Sequence, residues 1–285
     1  MADYLARLFY LGDYYYGSQI QLGVKTVQGE LIDAMHAWSK ESHSKQTVQL
    51  SGRTDRGVHS FGQLVLLSTD KQLNIDQVNK HLPEDIILWA KTKAPEGFRP
   101  RSSALMRHYR YYLGPIWKNI DENQVKKGIS LLIGSKDFSM LSKPDERRNT
   151  ITTVLNVSIG QDSGVPFLDV FGTSFLWKFV RKTVTLLTEI GLNYMEPDVI
   201  LEVLQGIKKR KPGGIEPAPP ENLILMETIV PFSLKPSKYG LKRIQKIVND
   251  RLDFVKRTGN TLSGFSAYLS SSMMPYQRPT NQRNP

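Results

Sequence analysis

The sequence predicts an α+β fold with two lobes of similar size. The fold is α/β-like because predicted strands and helices alternate along the chain. Stretches with the periodicity of strands and of helices alternate through both halves of the chain, which is typical of mixed architectures. The 285 residues, 40% of them hydrophobic and 23% charged, are enough for one large domain or for two of about 100 to 200 residues. We expect the lobes to span 1–115 and 116–234, with the boundary near 115–120 and a C-terminal extension at 235–285.

Apolar periodicity and turn residues divide the first lobe into short elements. A strand is predicted at 4–10, and a polar loop rich in Tyr, Gly and Gln follows it at 12–23. Thr26 is the predicted N-cap of a helix with apolar residues at helical spacing, namely Val27, Leu31, Met35 and Trp38. A short helix is predicted at 75–82, and further strands at 48–50, 64–67, 86–91 and 107–113.

The second lobe repeats this alternation. Helices are predicted at 121–133, 175–190 and 197–206, and strands at 152–159, 166–171 and 223–230. The helix at 175–190 carries an apolar stripe of Leu176, Val180, Val184 and Leu187. A Lys, Pro and Gly-rich linker at 208–222 is expected to form an exposed basic loop. A final amphipathic helix is predicted at 238–257, and the polar tail at 270–285 is expected to be disordered.

Composition and charge exclude several classes of protein. Lys and Arg number 38 against 27 Asp and Glu, and a formal net charge of +11 favours a polyanionic partner. The absence of cysteine excludes a disulfide scaffold, a thiol nucleophile and a Cys-ligated metal. No glycine-rich phosphate-binding pattern joins a predicted strand to a helix, so no nucleotide cofactor is indicated.

The N-terminal residues predict a cytoplasmic protein. Residues 1–12 contain Asp3 and Arg7 and lack a basic region followed by an apolar run, unlike a signal peptide. No apolar stretch approaches the roughly 20 residues that a membrane-spanning helix needs. We therefore expect no membrane association.

The segment 51–59, SGRTDRGVH, is the first candidate for chemistry. It places Asp55 between Arg53 and Arg56, with glycines that permit tight turns and close approach of a ligand. Asp55 is a candidate nucleophile or base kept ionised by the nearby positive charge. An ordinary turn residue with solvated neighbours is the alternative. A metal site made by Asp55 and His59 is less favoured, because no further ligand lies at suitable spacing.

Two further positions combine charge with apolar surroundings. Arg107, Tyr109 and Tyr111 share one face of the 107–113 strand, an arrangement on which an RNA base could stack. A tyrosine-rich strand that fills a core is the alternative. Arg181 follows apolar residues in the 175–190 helix, where it either reaches solvent or pairs with a carboxylate.

Four motifs resemble those of the tRNA pseudouridine synthase A family. GRTDRGVH followed by FGQ is similar to the family's catalytic loop, and the opening at 10–28 is similar to its Y-D-G-x-x-Y-x-G-x-Q-x-Q and T-V-Q. RHYRY at 107–111 resembles R-x-Y-x-Y, and GTSFLWKFVRK at 172–182 resembles the third motif. The resemblance covers about 4–230. Arg56 replaces a frequent Ala, as in archaeal and eukaryotic members, and Ser18 replaces an expected Trp.

The resemblance implies an enzyme that isomerises uridine to pseudouridine in tRNA, at positions 38 to 40 of the anticodon stem-loop, without metal or organic cofactor. It further implies a mixed, mostly antiparallel sheet flanked by helices around a central basic RNA-binding cleft. Asp55 would be the catalytic carboxylate, acting either as a nucleophile or on a ribose proton. Arg181 would pair with it, and Tyr109 would stack on the flipped base. Arg53 would enter the space that the base leaves. The remaining expected RNA contacts are Arg56, His59, Arg107, Tyr111, Lys208, Lys209 and Lys211.

Two other functions remain open from the sequence. The chain could bind or fold tRNA on the same scaffold without catalysis, or it could be a metal-dependent RNA hydrolase that uses Asp55 and His59. A homodimer is an open alternative to a monomer, since bacterial members of the family are homodimers and the 238–257 helix could cover such an interface.

Overall fold

A computed structural model describes residues 1–143, 149–207 and 214–270 of the chain. Most of them belong to a first compact unit, Met1–Leu241, and a second unit begins at Lys242. The predicted α+β class is confirmed, because one large sheet and several helices make up the first unit. The expected lobe boundary at 115–120 lies within that unit, and the division into lobes stays a prediction.

The described strands form one ten-stranded sheet that runs through the whole first unit. The strands are β1 (Ala2–Tyr10), β2 (Val48–Leu50), β3 (His59–Thr69), β4 (Ile86–Lys93), β5 (Met106–Tyr112), β6 (Gly134–Asp137), β7 (Ile151–Asp162), β8 (Val165–Gly172), β9 (Leu223–Ile229) and β10 (Lys235–Pro236). Their order is β10-β4-β1-β3-β9-β5-β8-β7-β6, with β2 beside β3. Strands β3 and β9 pair in parallel, whereas the other described pairs are antiparallel.

The described helices match most of the predicted ones. They are α1 (Val27–Ser39), α2 (Ile75–Val78), α3 (Glu122–Leu132), α4 (Phe179–Gly191), α5 (Val199–Leu204) and α6 (Lys238–Ser270). The Thr26 hydroxyl accepts a hydrogen bond from the Gly29 N–H and caps α1 as predicted. Helix α6 extends 13 residues beyond the predicted end at 257. None of the helices in the described parts of the chain is long and apolar enough to cross a membrane.

Two hydrophobic clusters flank different parts of the sheet. Ala6, Leu8 and Tyr10 of β1 pack with the buried face of α1. The larger cluster joins alternate residues of β5, β8 and β9 to α3, α4 and α5, and it includes Tyr109 and Tyr111. The four residues of the predicted stripe, Leu176, Val180, Val184 and Leu187, are all buried there. The helices therefore hold one face of the sheet, as amphipathic packing requires.

Besides the end of α6, three predicted boundaries were wrong by four residues or more. Helix α4 begins at Phe179 and not at 175, because Lys178 adopts a left-handed conformation with φ of 66° that a continuous helix does not allow. Helix α2 ends at Val78 and not at 82, and Pro83 follows one turn later. Strand β3 begins at His59, so FGQ at 61–63 lies in a strand and not in a loop.

Gly62 explains why the start of β3 was missed. A Cβ atom at this position would lie 2.3 Å from the carbonyl oxygen of Met226, so only glycine lets β3 approach β9 this closely. Glycine lowers the strand propensity of a sequence, which hides the strand from a local pattern. Of the predicted basic loop at 208–222, residues 208–213 lie outside the described residues, and so do residues 271–285 of the tail predicted at 270–285.

Candidate active site

Arg181 and Asp55 form an ion pair between two motifs that are far apart in the sequence. Arg181 Nη1 donates a hydrogen bond of 2.8 Å to Asp55 Oδ2. The side chains are 11% and 17% exposed, so both groups are shielded from solvent while the carboxylate keeps an accessible edge. Of the two alternatives for Arg181, the structure shows pairing with a carboxylate. Low exposure strengthens such a charge-assisted hydrogen bond relative to one in bulk water.

The segment that carries Asp55, here called the Asp55 loop (residues 51–59), is fixed at its start by Gln63. The Ser51 hydroxyl donates to Gln63 Oε1 at 2.6 Å, and Gln63 Nε2 donates to the Gly52 carbonyl at 2.9 Å. Ser51 also shares a hydrogen bond with the Thr228 hydroxyl on β9. The loop is therefore joined to the two strands of the parallel pair before it reaches Asp55.

The polar loop at 12–23 holds the middle of the Asp55 loop. The Ser18 hydroxyl accepts a 2.8 Å hydrogen bond from the Thr54 N–H, and the Ser18 N–H donates to the Thr54 carbonyl. The Thr54 hydroxyl is 2.9 Å from the Tyr10 hydroxyl, whose pKa burial raises to about 12. Gly17 has a φ of +101°, and its Cβ would lie 2.9 Å from the Thr54 carbonyl oxygen. These contacts orient the backbone that presents Asp55.

His59 closes the Asp55 loop through both ring nitrogens. Its Nδ1 accepts a hydrogen bond from the Gly12 N–H, and its Nε2 donates to the Glu221 carbonyl. Because Nδ1 accepts, the ring is the tautomer with its proton on Nε2. Within the described residues, no group of three or more His, Asp or Glu side chains could hold a metal ion. His59 thus links the Asp55 loop to the segments around Gly12 and Glu221, and its expected contact with RNA stays a prediction.

The residues around Arg181 fix its guanidinium on two sides. Arg181 Nε donates to the Ala218 carbonyl at 2.5 Å, and the Ala218 N–H donates to the Arg181 carbonyl. The neighbouring Lys182 is buried and donates to the Ser142 carbonyl, and burial lowers its pKa, as does the nearby Lys178. The segment around Ala218 therefore positions Arg181, since it binds both its backbone and its side chain.

Tyr109 and Tyr111 lie in the larger hydrophobic cluster. Tyr109 is 7% exposed, and the ring of Phe175 meets it edge-on at 5.3 Å. Burial and, to a smaller extent, Glu221 raise the pKa of Tyr111 to about 12, although Arg181 acts in the opposite direction. Both tyrosines help to pack the sheet against α4, which matches the core alternative for this strand.

The other predicted contact residues divide into exposed and buried ones. Arg53 and Arg56 are exposed on the Asp55 loop. Arg107 is buried, and its guanidinium donates to the carbonyls of Thr173, Ser51 and Arg101. Arg107 thus connects the Asp55 loop to the segment that precedes α4. Lys208, Lys209 and Lys211 lie outside the described residues.

Sequence reasoning missed several residues of the site. Ser18, Tyr10, Gln63 and the Ala218 carbonyl hold Asp55 and Arg181, and none was predicted to do so. Ser18 was noticed only as a departure from the expected Trp. Its full burial in a loop rich in polar residues is visible only in the structure.

Comparisons with known proteins give the family. The family model described as tRNA pseudouridine synthase matches residues 129–229, which include Arg181. A relative named tRNA pseudouridine synthase A from Methanosarcina acetivorans is 38% identical over 223 residues, which cover 77% of this chain and 81% of the relative. Relatives of the same name from Methanothermobacter thermautotrophicus and Archaeoglobus fulgidus are 32% and 31% identical. The match with the Methanothermobacter relative covers 92% of this chain and 94% of the relative. The match with the Archaeoglobus relative covers 96% of this chain and 100% of the relative.

The sequence matches place the chain in the class of pseudouridine synthases. Within that class, the chain belongs to the tRNA pseudouridine synthase A family, a family of isomerases. The three relatives are archaeal, which agrees with the archaeal character indicated by Arg56. A solved structure described as a Cbf5-Nop10-Gar1 complex matches 66% of this chain and 53% of its own, with 10% identity and a TM-score of 0.30, too low a similarity to add to this assignment.

Proposed function

We propose that the chain converts uridine to pseudouridine in tRNA, with Asp55 as the catalytic carboxylate. The observation that carries the proposal is the 2.8 Å ion pair between Asp55 and Arg181, which joins two of the motifs shared with the family. A charged carboxylate held by its counter-ion at a partly open position suits chemistry at a sugar–base junction. Membership of the family supports the reaction class.

The reaction is an isomerisation that balances without a co-reactant. The bond from the ribose carbon to N1 of uracil breaks, the base turns, and a bond to C5 forms. The proton of C5 is lost, and N1 gains one. Asp55 either attacks the ribose carbon or removes a ribose proton in the first stage. No oxidant, reductant or added group enters this balance.

The target nucleotide must leave its stack before Asp55 can reach the ribose. Extrusion of a base costs a few kcal/mol, which contacts with the protein must offset. We propose that Arg53, exposed on the Asp55 loop, enters the space that the base leaves. Tyr109 forms the wall next to the base, and its ring is held by Phe175. Arg181 holds the carboxylate in place through its 2.8 Å hydrogen bond.

We further propose that the target lies in the anticodon stem-loop at positions 38 to 40. The net charge of +11 supports a folded nucleic acid as substrate, because neutralised phosphates supply much of the affinity in such complexes. We also propose a cytoplasmic location, which action on tRNA supports.

Mapping of pseudouridine on tRNA incubated with the purified protein tests this function. Chemical labelling followed by reverse transcription should give stops at one or more uridines of the anticodon stem-loop. The same stops should form in the presence of a metal chelator. Binding of tRNA without any modified uridine would instead favour a tRNA-folding protein, and cleavage abolished by chelator would favour a hydrolase.

A further inference from the structure

The loop that holds Thr54 also presents an apolar surface to solvent. Its exposed side chains include Tyr16, Ile20, Leu22 and Val24, and Leu22 is fully exposed at 103%. We call Tyr16, Ile20 and Leu22, together with Arg56, the Tyr16 platform. Apolar groups exposed beside a polyanion-binding site are typical of an interaction surface.

The Tyr16 platform lies directly beside Asp55. Gly17 follows Tyr16, and its backbone packs against Thr54, Asp55 and Arg56. The Arg56 guanidinium lies over the Tyr16 ring, 4.3 Å from the centroid. An aromatic ring stacked on a guanidinium is the combination on which unpaired RNA bases stack. The stacked pair of Arg56 and Tyr16 therefore includes the residue that directly follows Asp55.

The loop is rigid although its tip is exposed. The Tyr15 hydroxyl donates to Asp85 at 2.6 Å, and Tyr15 is buried. The Tyr16 N–H donates to the Lys25 carbonyl, and the Ile20 N–H donates to Gln28 Oε1. A surface that is already ordered loses little conformational entropy when a partner binds. These hydrogen bonds join the segment before Leu22 to Lys25, Gln28 and Asp85.

We propose that the Tyr16 platform binds an unpaired nucleobase of the RNA next to the flipped target. This inference rests on the proposed function for the nature of the RNA, and it adds a base-stacking subsite outside the Asp55 pocket. Arg56 then contributes by stacking between Tyr16 and the base in addition to its charge. Ile20 and Leu22 cover the edge of the stacked base and exclude water. The positive charge of Arg56 and Lys25 suits RNA better than a second copy of this basic chain.

Binding of full-length tRNA at several salt concentrations tests the proposal. Tyr16→Ser and Leu22→Ser should each raise the Kd, with Tyr16→Ser the larger at about 5- to 150-fold. The slope of log Kd against log salt should not change, because stacking releases no counter-ions. Tyr16→Phe should bind as the wild type does. Leu201→Ser, a matched change at an exposed leucine of α5, should have no effect. Leu22 cannot contribute to the core, so loss of folding does not explain its effect.

Three results would overturn the platform. The first is an unchanged affinity for tRNA in both serine variants. The second is a loss of affinity that a shallower slope of log Kd against log salt explains in full. The third is a change in the oligomeric state of the serine variants, measured by light scattering. Mapping of pseudouridine on the same samples separates the two proposals. If the wild type modifies tRNA and the serine variants bind normally, the platform fails alone. If the variants lose affinity as described but the wild type modifies no uridine, the proposed function fails alone.

Discussion

Arg181 contacts Asp55 with one nitrogen and the Ala218 carbonyl with another. Nη1 is 2.8 Å from Asp55 Oδ2, and Nε is 2.5 Å from the Ala218 oxygen. The guanidinium therefore does not grip the carboxylate at two points. It instead connects the carboxylate to the backbone that precedes β9, so the charge that faces Asp55 is held at a fixed place.

Arg181→Lys should retain a small part of the turnover, because an ammonium group cannot reach Asp55 and the Ala218 carbonyl in the same planar geometry. Arg181→Met should abolish turnover and lower the free energy of unfolding by about 3 to 5 kcal/mol, since it leaves a shielded carboxylate without its counter-ion. Single-turnover assays and urea unfolding measure the two effects. Lys182→Met is the control, because it removes the next cation on α4 without touching Asp55. Normal turnover in Arg181→Met would remove Arg181 from the site.

Asp55→Asn should abolish pseudouridine formation and leave the affinity for tRNA within a few-fold, because the amide keeps the shape and loses the charge. Filter binding and pseudouridine mapping on the same preparation give both values. Asp137→Asn, at an exposed carboxylate of β6, should keep full activity. Near-normal product formation by Asp55→Asn would mean that another group performs the chemistry.

Tyr109→Phe should keep the fold and most of the tRNA affinity, because the ring and its edge-on contact with Phe175 remain. Tyr109→Leu should lose the roughly 1 to 3 kcal/mol that base stacking contributes. The KM for tRNA and the kcat of each variant distinguish stacking from a role of the hydroxyl. If leucine changes stability but neither kinetic constant, Tyr109 is a core residue only.

Ser18→Ala should reduce kcat more than tRNA affinity. The variant leaves the buried Thr54 N–H without its acceptor, at a cost of about 1 to 3 kcal/mol, and so loosens the Asp55 loop. Ser39→Ala is the matched control, because Ser39 is a buried serine with hydrogen bonds to His43 and Glu41 in the same half of the chain. Equal loss of kcat in the two variants would show a general effect of stability.

Asp169 should make the fold sensitive to acid. Burial alone raises its pKa, but the two hydrogen bonds from Arg110 and the nearby His108 ring outweigh burial and hold the pKa below its usual range. The contribution of ionised Asp169 to the free energy of unfolding is therefore complete above the unfolded-state pKa of Asp, near 3.9. This contribution is lost as the pH falls through the pKa of Asp169 in the folded state.

Asp169→Asn consequently should lower the free energy of unfolding at pH 7, on the order of 3 kcal/mol, because Arg110 loses its partner. Its deficit relative to the wild type should shrink below about pH 4, where the wild-type carboxylate also loses its charge. Urea unfolding between pH 7 and pH 3 measures the difference. A deficit that stays constant over this range would contradict the assignment.

The sequence predicted those parts of the structure that depend on local patterns. The Thr26 cap, the burial of the apolar stripe and the alternation of β5 each follow from neighbouring residues, and each was confirmed, although Leu176 of the stripe lies before the start of α4. The contacts that build the site are long-range. Nothing local to Ser18 indicates that it binds Thr54, and the carbonyls around Arg107 come from three separate segments. The alternation of side chains along β5 correctly placed Arg107 on the same face as Tyr109 and Tyr111. It did not show where the long side chain of Arg107 ends, which is at the backbone carbonyls of Thr173, Ser51 and Arg101.

The parallel pairing of β3 with β9 determines when the site can assemble during synthesis. Asp55 lies four residues before β3 begins, and its counter-ion and the Ala218 carbonyl emerge from the ribosome 126 and 163 residues later. The first strands can pair before then, since β1, β3 and β4 are antiparallel neighbours. Contacts of such high sequence separation close late, because their loop entropy must be overcome first. A nascent or truncated chain that ends before α4 thus carries Asp55 without the arginine that pairs with it.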